Sequence, residues 1–144
     1  MPKHLLFICT GNYYRSRFAE AVFNHHAECQ ALEWRAFSRG LATHLAPEFP
    51  LLSEHTTEGL ALRGIDPRHT ARGRVQLSEP DLMSADLIVA LKAAEHRPMF
   101  EKQFPAWVER VTFWNVSDLD QATPDDALAA IEKQVLALIE SLEN

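Results

Sequence analysis

Cysteine is scarce in this chain: there are two, Cys9 and Cys29, among 144 residues. They pair at most once, and a small secreted disulfide framework normally uses more, so both are expected to be reduced thiols. No apolar run approaches the roughly 18–20 residues of a membrane span, and Leu5-Leu6-Phe7-Ile8 ends at a cysteine with no cleavage pattern behind it. No membrane partner is expected, and a cytoplasmic location is the default. Glycine is limited to five residues, and no Gly/Ser linker, internal repeat or low-complexity tract marks a domain boundary. One domain over residues 1–144, long enough to bury a core, is the expectation. Positive charge is outnumbered, with 14 Lys and Arg against 20 Asp and Glu and a net charge of −6, which argues against general nucleic-acid binding. The seven histidines show no metal-ligand spacing with the cysteines, and His25-His26, adjacent on a predicted helix, face different ways. Neither a metal nor any other cofactor is expected.

The positive charge that is present lies early. Residues 1–74 carry nine Lys/Arg against seven Asp/Glu, and eight of the ten arginines fall there. That distribution fits either an anion site in an acidic protein or ordinary surface arginines. Short β-like runs occur at 4–9, 34–38, 86–91 and 108–113. Helices are predicted over 16–32, over 47–63 closed by Gly64, and over 92–103, the last disturbed by Pro98. A short one starts at Ser78-Glu79-Pro80-Asp81. The final helix has Thr123 as N-cap, Pro124 as first residue and an apolar stripe of Leu128, Ile131, Val135, Leu138 and Leu142. Strands alternating with helices predict a three-layer, doubly wound α/β fold: a parallel sheet with helices on both faces. Such sheets bind ligands beyond the carboxyl ends of their strands.

The first run ends at Cys9, so the loop Cys9-Thr10-Gly11-Asn12-Tyr13-Tyr14-Arg15-Ser16 is the place to look. A loop closing onto a helix N-terminus turns backbone N–H groups toward an oxyanion, and the helix dipole adds positive charge. Gly11 and Asn12 tolerate left-handed backbone at low cost. Arg15 suits a bidentate grip on a phosphoryl group, the same field favours Cys9 as a thiolate, and Ser16 is placed to donate a hydrogen bond to it. The loop has neither the Gly-Lys-Ser/Thr of a nucleotide-binding loop nor the three-glycine dinucleotide fingerprint. The combination fits phosphoester cleavage through a phosphocysteine.

These residues, followed by Phe18-Ala19-Glu20, resemble the signature of the low-molecular-weight protein tyrosine phosphatases and the related arsenate reductases. The likeness continues through Phe37-Ser38-Arg39-Gly40, Gly64-Ile65-Asp66, His69-Thr70-Ala71-Arg72 and Ala85-Asp86-Leu87-Ile88-Val89. It implies a four-stranded parallel sheet, Cys9 as nucleophile, Arg15 as phosphate clamp, residues Thr10 to Ser16 around the phosphate, and Asn12, Ser16, Ser38 and His69 supporting the loop. It also implies an acid on a late loop, here Asp118 with Asp120 as the alternative. The implied partner is a phosphotyrosyl protein or a small aryl phosphate, with inorganic phosphate or sulfate able to fill the loop.

Three departures from the family pattern bear on function. Asp118 precedes Leu119 instead of the usual proline, which predicts a looser acid loop and slower turnover. Arg17 replaces a common proline; it either attracts acidic flanks of a substrate or faces water. Tyr13 and Tyr14 either rim the cleft or place one ring in the core, and Tyr14 stands where many members carry a second loop cysteine. The thioredoxin-coupled reductases need cysteines after Cys29, and none follows; phosphoarginine hydrolysis uses a small residue where Tyr13 stands. A phosphate-binding module with attenuated catalysis is the reading from outside enzymology. Cys29 lies well down the first helix and is expected to be a packing residue. Peroxide is therefore expected to abolish activity irreversibly, because oxidised Cys9 has no neighbouring thiol to capture it; full recovery after mild thiol reduction would refute this.

Overall fold

Leu5, Leu6, Phe7 and Ile8 are all fully buried, so the first strand, β1 (Lys3–Cys9), has apolar contacts on both faces, as a central strand of a parallel sheet requires. It lies between β2 (Trp34–Gly40) and β3 (Leu87–Ala90), and β4 (Val111–Phe113) pairs with β3. The order is β2-β1-β3-β4 with every pairing parallel. The computed structural model describes residues 2–70, 73–118 and 122–143.

The alternation of side chains along β1 divides the core. Leu5 and Phe7 pack with Phe18 and Val22 of α1 (Arg15–Cys29), Leu60 of α2 (Glu54–Leu62) and Leu128, Ile131 and Val135 of α5 (Pro124–Leu142). Leu6 and Ile8 point the other way, against Leu82 of α3 (Glu79–Ser84), Phe100 of α4 (Ala93–Gln103) and Val108. The result is the expected three-layer α/β sandwich. After β2 the chain crosses back over β1 to form β3, so the order reverses beside β1, and a crevice opens beyond the carboxyl ends of β1 and β3. Cys9 is the last residue of β1.

Four expectations shift. The second helix begins at Glu54, not near 47, because Pro47 and Pro50 interrupt the segment and Ser53 caps the helix by accepting from the His55 amide. Residues 105–110 form a 3-10 turn opened by Pro105, which leaves a strand of only Val111–Phe113. Helix α4 runs through Pro98. Cys29 is exposed at the end of α1 and is not a packing residue. Among the described residues no helix is long and apolar enough to cross a membrane.

The end of β2 presses on the loop after β1. A Cβ at Gly40 would lie 2.8 Å from the Thr10 carbonyl oxygen and 2.9 Å from the Asn12 nitrogen, backbone atoms that have no rotamer to yield with. Gly40→Ala is expected to cost about 1–3 kcal/mol in urea unfolding. Gly73→Ala, whose Cβ would meet nothing within 4 Å, should stay within about 0.5 kcal/mol of the parent; equal effects would refute the close approach.

Candidate active site

The loop between β1 and α1 is shaped by its carbonyls. Cys9 O accepts from the Leu41 amide at 3.0 Å, Thr10 O from the Ala42 amide at 2.8 Å and Tyr13 O from the Ser53 amide at 3.0 Å. Tyr14 O accepts from the Thr56 hydroxyl at 3.0 Å, and Asn12 O from Arg17 Nη1 at 3.5 Å. In a trans peptide the N–H points opposite to its C=O. Drawing these carbonyls outward therefore turns the amides of Thr10, Gly11, Tyr13, Tyr14 and Arg15 inward, to the hollow where the positive end of α1 also points. Asn12 makes this curvature possible with φ of 52°, a left-handed conformation that Asn adopts more readily than most residues.

Cys9 lies on the floor of this hollow, with Sγ 2.9 Å from Ser16 Oγ. Ser16 accepts from Asn12 Nδ2 at 3.0 Å, which leaves its hydroxyl proton for the sulfur. The same Asn12 amide donates to Ser38 Oγ at 2.9 Å, and Asn12 Oδ1 accepts from the Val75 amide at 2.9 Å. Asn12, Ser16 and Ser38 are thus linked by hydrogen bonds through the Asn12 amide. His69 is placed elsewhere: its ring centroid is 5.7 Å from that of His25, and its carbonyl accepts from Asn24. Among the described residues its imidazole makes no hydrogen bond to the Cys9–Ser16 loop.

Above the thiol is a cavity of about 430 Å³ lined by Cys9, Thr10, Gly11, Tyr13, Tyr14, Arg15, Asp118 and, from the 45–47 segment, Leu45, Ala46 and Pro47. Arg15 and Asp118 both border this cavity beside Cys9, with an Arg15 Nη2 to Asp118 Oδ2 separation of 3.4 Å. Asp120, the alternative acid, lies outside the described residues. Both readings of the tyrosines apply at once. Tyr14 is buried in the core cluster yet borders the cavity, while Tyr13 is half-buried at its wall. Burial, reinforced by Asp118, pushes the Tyr14 phenol up to about 12, so it stays protonated, and its buried hydroxyl meets no hydrogen-bond partner among the described residues.

Glu95 was not anticipated. Arg15 Nη1 donates to the Val116 carbonyl at 3.0 Å and Nη2 to Glu95 Oε2 at 2.8 Å, so two contacts from the segments that follow β4 and β3 fix the guanidinium. Thr10 Oγ1 donates to the same glutamate oxygen, and His96 Nε2 lies 3.2 Å from it. His96 Nδ1 accepts from the Lys92 amide at 3.0 Å, which places the ring proton on Nε2, toward Glu95. Burial alone would push the Glu95 carboxyl up; hydrogen bonds from His96, Arg15 and Thr10 outweigh it and hold the group well below the ordinary carboxylate range. Burial lowers Arg15 in turn, and Glu95, Cys9 and Asp118 more than reverse that. Spacing carries no signal for Glu95, which is 80 positions from Arg15.

A thiol and a guanidinium in an anion nest at the switch point of a parallel sheet are the equipment of a cysteine-based phosphatase. The family model for low molecular weight phosphotyrosine protein phosphatase matches residues 4–144, and the chain belongs to that family. A low molecular weight protein tyrosine phosphatase from T. tengcongensis superposes with a TM-score of 0.80 at 28% identity, over 97% of this chain and 99% of that one. A protein-arginine-phosphatase of Bacillus subtilis is 31% identical over 107 residues, 74% of this chain and 67% of its own. The Wzb protein of Vibrio vulnificus, solved with benzylphosphonate, shares the fold with a TM-score of 0.80 at 17% identity, over 99% and 100% of the two chains.

The depressed Glu95 carboxyl makes a signed prediction. A carboxylate held down in the folded state stabilises above its ordinary value of 4.5, and that contribution is lost as pH falls below it. Glu95→Gln is expected to lose about 1–3 kcal/mol at pH 7. The gap to the parent should narrow progressively in urea unfolding below about pH 4; a pH-independent gap would contradict the assignment.

Proposed function

We propose that the chain hydrolyses aromatic phosphomonoesters, phosphotyrosyl protein or small aryl phosphates, through a phosphocysteine on Cys9. The observation that carries this is the meeting of Cys9, Arg15 and Asp118 in one cavity, with Ser16 Oγ 2.9 Å from the sulfur. The Cys9 thiolate attacks phosphorus, the S–P bond forms as the ester P–O bond breaks, and Asp118 gives its proton to the departing oxygen. The Asp118 carboxylate then takes a proton from water as that water attacks the phosphocysteine, which releases phosphate and restores the thiolate. Inward amides and Arg15 stabilise the equatorial oxygens throughout. A nucleophilic thiol of this kind calls for a reducing compartment, and the cytoplasm is the location we assign.

The walls of the cavity favour an aromatic substrate. Tyr13, Tyr14, Leu45 and Pro47 offer apolar area to an aromatic ring, and Phe49, close by in the same segment, is 82% exposed. The benzylphosphonate bound to Wzb is a ligand of this kind. Phosphoarginine is the second reading, favoured by the 31% identity to a protein-arginine-phosphatase; the bulk of Tyr13 weighs against it. A binding module with attenuated catalysis is the third.

Cys9→Ser should abolish turnover of p-nitrophenyl phosphate and of a phosphotyrosyl peptide. Asp118→Asn should cost about 10²–10⁴-fold with a poor leaving group such as phenol and much less with p-nitrophenol. Equal losses would shift the acid to Asp120 or water. Faster hydrolysis of a phosphoarginyl peptide would select the second reading, and no Cys9-dependent turnover between about pH 5 and 7 the third.

A further inference from the structure

Arg17 occupies neither place that its sequence suggests. It does not face solvent or a substrate; it is 1% exposed, among the largest fully buried side chains of the protein. Its Nε donates to Thr70 Oγ1 at 2.7 Å and its Nη1 lies 3.5 Å from the Asn12 carbonyl oxygen. Thr70 Oγ1 donates to Glu20 Oε1 at 2.9 Å, which also accepts from Ser38 Oγ at 2.6 Å. Ser38 accepts in turn from Asn12 Nδ2 at 2.9 Å. The circuit Arg17, Thr70, Glu20, Ser38, Asn12 therefore closes on itself and holds Asn12 by its side chain and its main chain.

The main-chain contact decides the geometry of the nest. Asn12 C=O and Tyr13 N–H belong to one peptide plane, so a donor that draws the carbonyl outward fixes the amide inward. Asn12 holds a left-handed φ of 52°, for which the right-handed backbone is the ordinarily preferred alternative. Arg17 keeps its charge under all ordinary conditions; burial and the neighbouring Arg74 lower its pKa, and Glu20 acts against them. Among the described residues Arg17 is thus a buried cation beneath the loop, while the ring of His69, expected there from the family resemblance, packs against His25.

We propose that Arg17 is a positioning residue for the anion site: it locks the Asn12–Tyr13 peptide with its amide turned into the nest, a supporting part that the family pattern would give to His69. The proposal rests on the phosphatase reading, in which the nest receives the phosphoryl group. It also connects two departures from the pattern, the arginine in place of proline at position 17 and the displaced histidine.

The test is inorganic phosphate binding to the full chain by calorimetry and by the amide resonance of Tyr13, with urea unfolding measured separately. Arg17→Met should weaken phosphate about tenfold and abolish the phosphate-induced shift of the Tyr13 amide, and Arg17→Lys should recover part of the affinity. Thr70→Val, which removes the acceptor of Arg17 Nε with little change of shape, should weaken phosphate by a smaller factor and serves if Arg17→Met does not fold. Variants that lose stability yet bind phosphate like the parent, with an unchanged Tyr13 shift, overturn the proposal and leave Arg17 a packing residue. A parent chain that binds no phosphate overturns the phosphatase reading, and this proposal with it.

Discussion

The outward anchoring of the loop carbonyls is the constraint on which the site depends. A strand that simply ran into a helix would leave its connecting peptides in mixed orientations, with carbonyl oxygens as ready as amides to face the hollow. Here Leu41, Ala42, Ser53, Thr56 and Arg17 each take a carbonyl away, and a surface of backbone amides is what is left to the hollow. The donors come from the segment after β2, from the start of α2 and from α1 itself. The fold therefore serves the site by delivering donors behind a loop, and the close approach of Gly40 is part of that delivery.

The charges are arranged on two levels. Beneath the loop, Glu20 and Arg17 flank Thr70 and are cut off from water. Beside the hollow, Glu95 and the Val116 carbonyl hold one edge of Arg15, so the arginine enters any reaction already oriented and pays little entropy on meeting an anion. Each buried cation has hydrogen-bonding partners, which is the condition under which such groups are tolerated in an interior.

Much of this was legible in the sequence, and what was not has a common cause. The strand ending at Cys9, the helix beginning near Arg15 and the Gly-Asn pair between them are local signals, and they locate the nest. Ser38 and Asp118 are reached through the family likeness, which also implied His69. Arg17 and Glu95 escaped because a charged side chain on a helix looks solvent-facing unless its tertiary neighbours are known; their partners Thr70 and Arg15 are 53 and 80 positions away. The placement of the His69 ring against His25 belongs with these, since a local pattern does not reveal which tertiary neighbours a ring meets. The late start of α2 is different in kind: Pro47, Pro50 and Ser53 were visible, and turn chemistry overrode the apolar pattern.

The anchors of the nest lie between residues 41 and 56, whereas those of Arg15 lie at 95 and 116. An anion seated in the hollow touches groups held by both stretches, so it ties the two halves of the chain together without any covalent link. Any such ion that prefers the folded form raises apparent stability in proportion to the logarithm of its concentration. If the nest takes up phosphate or sulfate as proposed, either ion in a buffer would act as a removable staple, and melting temperatures measured in its presence would report occupancy of the nest as much as the packing of the core.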